Sequence, residues 1–275
     1  MAALPRFFSV SAAGMYKQCP RRWKHRYVDK LPDPPGEAAV VGTFAHRVLE
    51  ILCDKDSKSR TIEEAKKIAR DIWPETENGS DFKSLDLDEK KQKEFRWKAW
   101  VAIEGLWGLE NPSEVNVLST EKKISATLSD VPFSGVIDRL DQTSKGTAVT
   151  DYKTGKPPSP SYKDDALNQI VLYAAAVGCE TGNLPTKGRL LYLGKDSLEL
   201  EVDISEELVA KSTNQFAGTW EKLKDSCEND NFDTQVGPLC GWCPYAGICV
   251  DGQKEIKKRL AAGRMRTDAP ALQLI

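Results

Sequence analysis

The chain has 275 residues, 29 % of them charged, with a formal net charge of −2. That length suits one large domain, or a domain with a helical insertion, and it can bury a substantial core. The charge balance excludes a general polycation, so any nucleic-acid surface has to be a local patch. No apolar run reaches about 18 residues, so no membrane span is expected. The opening Met-Ala-Ala-Leu-Pro-Arg-Phe-Phe lacks the pattern of a signal peptide. The expectation is a cytoplasmic protein with reduced thiols, in which clustered cysteines point to metal rather than to disulfides.

Four segments are expected, at 1–55, 56–112, 113–227 and 228–275. In the first, Ser9-Val10-Ser11 reads as an N-cap region before a helix through Tyr16, Trp23 and Tyr27. Leu31 to Gly36, rich in proline, reads as a loop, and a second helix is expected to start near Gly42 and carry Phe44, His46, Val48, Leu49 and Leu52. Residues 56–112 read as a charged helical subdomain broken between Pro74 and Ser80, with Phe95, Trp100, Ile103, Leu106 and Trp107 at helical spacing. The third segment alternates strongly. Strands are expected near 115–127, 132–140, 146–153, 188–194 and 198–203, with helices at 164–178 and 205–227. The fourth segment holds clustered cysteines and a basic helix. The fold class is therefore α/β, a mixed sheet flanked by helices, with a helical insertion.

Two of these strands end in chemistry. Gly135-Val136-Ile137-Asp138 and Val149-Thr150-Asp151-Tyr152-Lys153 each place an acid after a short apolar run. The turn between them lets the second strand return antiparallel. Alternation points Asp151 and Lys153 to one face and Tyr152 to the other. Paired carboxylates beside an amine are what metal-assisted hydrolysis of a phosphodiester requires. Alone, an Asp-x-Lys on a strand reads first as a solvated ladder pair. His46, one of two histidines, reads alone as a half-buried helix residue, and Gln169 and Tyr173 as the polar edge of an amphipathic helix. Glu121, on the preceding strand, reads as a surface residue first and as a contact behind the metal ligands second.

Taken in order, Gly42…His46, Gly135-Val-Ile-Asp138, Asp151-Tyr-Lys153 and Gln169…Tyr173 resemble the RecB-like branch of the PD-(D/E)xK nuclease superfamily, to which CRISPR-associated exonucleases also belong. The resemblance implies a divalent cation held by His46, Asp138, Asp151 and the carbonyl of Tyr152. Oxygen ligands suit Mg²⁺ or Mn²⁺, and one imidazole tilts the preference toward Mn²⁺. Lys153 would orient a water or stabilise developing charge, and Gln169 and Tyr173 would position the strand. The implied activity is a metal-dependent DNA exonuclease acting on single strands or ends. Different readings are a non-catalytic nucleic-acid-binding scaffold, or a nuclease dedicated to CRISPR adaptation or phage recombination. No Gly-x4-Gly-Lys-[Ser/Thr] phosphate loop is present, so unwinding would come from a partner: a helicase, an annealing protein or a CRISPR-adaptation protein.

Cys240-x2-Cys243-x5-Cys249, with Cys19 far upstream, resembles the iron–sulfur staple of several such nucleases. The implied cofactor is a [4Fe–4S] cluster on four thiolates, with Zn²⁺ as the alternative. Cys53, Cys179 and Cys227 read as buried small hydrophobes. Basic residues flank both ends of the cysteine set: Lys17, Arg21, Arg22, Lys24, Arg26 and Lys30 near Cys19, and Lys254, Lys257, Lys258, Arg259, Arg264 and Arg266 after Cys249. Tyr16, Trp23, Tyr27 and Trp242 would stack on bases or shield the metal, with Trp23 favoured as core.

Overall fold

The computed structural model describes residues 2–274. The chain divides into two compact units that are interleaved in sequence. One comprises the residues before Pro35, Asp130–Pro132 and the residues after Asn214. The other comprises Pro35–Ser129 and Phe133–Asn214.

In the first unit, the single helix expected through Tyr16 and Tyr27 is two: α1 (Val10–Gln18) and α2 (Pro20–Tyr27). Ser9 caps α1, its side chain accepting from the Ala12 N–H. Pro20 has no N–H to give and drives the preceding residue out of the helical region, so Cys19 is extended (φ −165°, ψ 108°) and separates the helices. Trp23 is buried between Tyr16 and Phe232, stacking on the latter at 5.9 Å. Tyr27 and Trp242 remain partly exposed. The basic helix is α9 (Val250–Ala261).

The second unit is built on a five-stranded sheet of order β1-β2-β3-β4-β5: β1 (Asn116–Leu128), β2 (Val131–Thr143), β3 (Gly146–Lys153), β4 (Lys187–Tyr192) and β5 (Leu198–Asp203). The sheet is mixed, since β3 runs antiparallel to β2 and parallel to β4, and β5 is antiparallel to β4. The parallel step needs a crossover, supplied by α7 (Lys163–Thr181), which packs on β1, β3 and β4. Its Ile170 lies so close to Gly188 that a β-carbon there would meet it at 2.7 Å.

A separate apolar cluster joins α3 (Glu37–Cys53), α4 (Ile62–Asn78), α5 (Ser80–Lys83) and α6 (Glu89–Glu104) to Tyr152, Leu191 and Leu193. The helix expected near Gly42 starts at Glu37, immediately after the proline-rich loop. The break expected from Pro74 falls at Gly79. Pro74 sits inside α4, where it removes one backbone bond while the apolar face of the helix stays packed. The 24-residue α8 (Glu206–Asn229) follows the sheet. Among the described residues no helix is long and apolar enough to cross a membrane.

Candidate active site

Asp138 and Asp151 come from neighbouring antiparallel strands. Tyr152 N–H donates to Asp138 Oδ2 at 2.7 Å, tying the second strand to the first carboxylate. α3 brings His46 to the same place, its Nδ1 lying 3.4 Å from Asp138 Oδ2. Close approach of α3 depends on Gly42, where a β-carbon would meet Thr154 Oγ1 at 3.1 Å.

β1 contributes Glu121, which the sequence reading left at the surface. One ligand atom each from His46, Glu121 and Asp138 lie within 4.8 Å of one another. Glu121 has a left-handed backbone (φ 42°) inside β1, so period-two alternation does not report where its side chain goes. The only sequence signal was its place on the strand before the Asp138 strand.

Asp151 is buried, and its two oxygens differ. Gln169 Nε2 donates to Oδ1 at 3.0 Å. Lys153 Nζ lies 2.7 Å from Oδ2, yet that buried oxygen accepts no hydrogen bond, because the ammonium is not aligned for one. Lys153 Nζ donates instead to Gln169 Oε1 at 3.1 Å. Gln169 thus braces the acid and the amine with its two amide ends. Tyr173, one helical turn on, is buried against Phe133. A β-carbon at Gly135 would meet its Cε1 at 2.4 Å, so the tyrosine fills the space the glycine leaves.

The electrostatics are those of an acidic cluster short of positive charge. Burial pushes the Asp151 carboxyl up, Lys153 opposes it, Asp138 adds to it, and the group is raised to about 6. Burial, then the charges of Asp138 and Glu50, raise Glu121. For His46 burial favours the neutral ring, but the hydrogen bond and charge of Asp138 outweigh it and the imidazole is raised. A divalent cation would favour the ionised form of both raised carboxyls and take the place of the His46 proton, and the donor set of one imidazole with the Glu121 and Asp138 carboxylates fits Mg²⁺ or Mn²⁺.

His46, Glu121, Asp138, Tyr152 and Lys153 line an open cavity of about 580 Å³, while the predicted Asp151, Gln169 and Tyr173 are not part of its lining. Beneath it lies a buried ion network. Arg139, with no exposed surface, donates through Nε and Nη2 to Asp141 at 2.8 and 3.0 Å, and through Nη1 to Glu110 at 2.6 Å and to Tyr152 Oη at 2.7 Å. The Tyr152 ring in turn meets the His46 ring edge-on at 5.8 Å.

The four cysteines singled out by spacing line one cavity of about 340 Å³ in the first unit. Three of their sulfurs accept backbone N–H bonds: Cys19 from Gln235 at 3.5 Å, Cys240 from Gly237 at 3.4 Å and Cys249 from Gly252 at 3.3 Å. Burial raises the Cys240 and Cys243 thiols. Of the other cysteines, Cys53 and Cys227 are buried as expected, but Cys179 is exposed near the end of α7. Half of the basic patch around Cys19 is paired within its own unit: Asp33 pairs with Arg22 and Arg26, and Asp230 with Lys24.

A model of the PD-(D/E)XK nuclease superfamily matches residues 7–250, and the chain belongs to that superfamily. It is thus a nuclease, in a family that uses divalent metals and implies a DNA substrate. A crystal structure from Eubacterium rectale, described as a "putative exonuclease", is similar with a TM-score of 0.53 and 11 % identity, over 90 % of this chain and 88 % of that one. The crystal structure of SSO0001 is similar with a TM-score of 0.41 and 13 % identity, over 92 % and 89 %. No curated protein resembles the chain closely enough to count as a match. The similarity to the first structure is one of fold.

Proposed function

We propose that the chain is a divalent-metal-dependent DNA exonuclease of the RecB-like branch, acting on single strands or DNA ends. The observation that carries this reading is the convergence of His46, Glu121 and Asp138 in one open cavity that Lys153 also lines, with the buried Asp151 paired to Lys153 behind it. His46, Asp138, Asp151 and the Tyr152 carbonyl are the ligands the family pattern assigns, and Glu121 is an added donor. A cation bound there supplies Lewis acidity toward a phosphate oxygen and lowers the pKa of a bound water. Lys153 offers N–H donors to charge that grows on the phosphate, from a position fixed by Gln169. Tyr152 N–H holds Asp138 in one orientation, and Tyr173 supports the Gly135 stretch of the same strand.

We infer further that Cys19, Cys240, Cys243 and Cys249 hold a [4Fe–4S] cluster. Their shared cavity and the N–H bonds to sulfur favour a thiolate-bound centre. Among the described residues no three of these sulfurs come within 4.8 Å of one another. A zinc would sit at about 2.3 Å from each sulfur, and iron against zinc content of anaerobically purified protein decides between the two.

Digestion of end-labelled single- and double-stranded DNA with Mn²⁺, Mg²⁺ or EDTA tests the activity. Mononucleotide release from single strands, lost in EDTA, is expected. Internal cuts without end dependence would replace the exonuclease reading, and metal-independent cleavage would overturn the metal assignment.

A further inference from the structure

The helical segment carries a second cavity, of about 400 Å³, whose lining differs in kind from the acidic one. α4 contributes Lys66, Ala69, Arg70 and Trp73, the i, i+3, i+4, i+7 positions of one helix face. α6 contributes Arg96, Trp100 and Ile103 at i, i+4 and i+7. The helices exchange cations: Lys66 lies over the Trp100 ring at 5.2 Å, and Arg96 over the Trp73 ring at 5.2 Å.

Three features exceed what a structural staple between two helices needs. First, among the described residues no carboxylate pairs with Lys66, Arg70 or Arg96, whereas the adjacent Lys67 does pair with Asp71. Arg70 has no ring beneath it either, so its charge serves no internal contact. Second, Trp97, three residues before Trp100 on α6 and outside the groove's own lining, is 66 % exposed, an unusual cost for an indole without a partner. Third, the buried Trp73 Nε1 has no hydrogen-bond acceptor. Unpaired cations call for an anion, exposed indole for a flat apolar ring, and a free N–H for an acceptor. A nucleotide supplies all three, as phosphate, base and base edge.

We propose that this groove binds a nucleotide unit of a single-stranded nucleic acid, phosphodiester and base together, as an anchor separate from the acidic cavity. The proposal rests on the nuclease reading for its biological sense and names the substrate form that reading would favour. α3 connects the two places. Thr43, His46 and Arg47 line the acidic cavity, and Phe44 lines the groove. A strand anchored in the groove therefore turns around one helix to present a neighbouring phosphate to the carboxylates. A duplex is stiffer and has its bases stacked inside, so it cannot offer a base to Trp97 without opening.

The test is fluorescence anisotropy with a labelled oligothymidylate of about 20 nucleotides, in EDTA so that nothing is cut, and with the matched duplex. Arg70→Glu and Trp97→Ala are the variants, since neither side chain holds a hydrogen bond or ion pair that the fold would miss. Each should weaken single-strand binding about tenfold with the melting temperature unchanged, and Trp97→Ala should leave duplex binding unchanged. Arg70→Glu should also lower the slope of log affinity against log salt by about 0.7. Thymidine monophosphate should compete only weakly, and strong competition would make the ligand a free nucleotide and overturn the strand proposal. Wild-type single-strand affinity in both variants would leave the groove a structural staple only. Cleavage is read separately: a wild-type protein that binds strands through the groove but cuts none would refute the nuclease reading while leaving the groove standing.

Discussion

Arg139 is the residue whose loss should be felt furthest. Its guanidinium satisfies Asp141 twice, Glu110 once and Tyr152 once, all out of water. Arg139→Met keeps the volume but leaves two buried carboxylates with only Arg189, which lies 2.9 Å from Glu110 and 3.7 Å from Asp141. Breaking a buried pair by removing one partner costs about 3–5 kcal/mol. Arg189 and the Thr150 hydroxyl, 2.8 Å from Asp141, keep the expected loss near the lower end. About 3 kcal/mol corresponds to a fall of roughly 6–12 °C in melting temperature for a unit of this size. The pH dependence is the sharper check. Burial would raise the Glu110 carboxyl, but the charge and hydrogen bond of Arg139, then Arg189, hold it below its ordinary value. A depressed carboxylate contributes stability above its unfolded pKa, and that contribution disappears as pH falls through the folded one. The gap between wild type and Arg139→Met should therefore be widest near neutrality and close as the pH drops below about 4.5. Thermal melts from pH 7 to pH 4 measure it. A gap that stays constant, or widens in acid, would refute the argument.

Glu121→Gln should weaken Mn²⁺ binding about tenfold or more by calorimetry, whereas a mere surface glutamate would leave the isotherm unmoved. Gly135→Ala should cost about 1–3 kcal/mol in urea melts, because the new methyl overlaps the Tyr173 ring, and Tyr173→Leu in the same chain should restore part of it. Cys19→Ser should remove iron and brown colour from anaerobically purified protein as fully as Cys243→Ser; colourless protein holding one zinc would replace the cluster. Gln169→Ala should slow cleavage by roughly two orders of magnitude with metal affinity little changed, since it braces Lys153 as well as Asp151.

What the sequence disclosed, and what it hid, follows from local geometry. β2 and β3 were legible because the alternation of Asp151, Tyr152 and Lys153 obeys the two-residue period of a strand, and the structure keeps Asp151 and Lys153 together with Tyr152 opposite. Glu121 was not legible, since a left-handed residue breaks that period inside β1. The true start of α3 was hidden because Gly36 supplies no capping side chain. Pro74 misled in the other direction: a proline marks a helix end only when packing does not pay for continuing through it. Arg139 carried no signal at all. An arginine next to Asp138 reads as a surface charge until Glu110, 29 residues upstream, is brought to it.

The interleaving of the two units has a consequence for biosynthesis. Residues 35–214 contain all five strands and all of α3 to α7, so the acidic site can fold while the ribosome is still at work. The unit holding the four cysteines cannot close until Cys249 has emerged. At about 5–20 residues per second, Cys19 waits on the order of ten seconds or more, reduced and unpartnered, before its three companions exist. Loading of any metal on that set is therefore a late event, open to interception by oxidants or by metals that compete for a single thiol. If the proposed cysteine centre forms, expression conditions that slow translation should lower the fraction of chains in which it is filled.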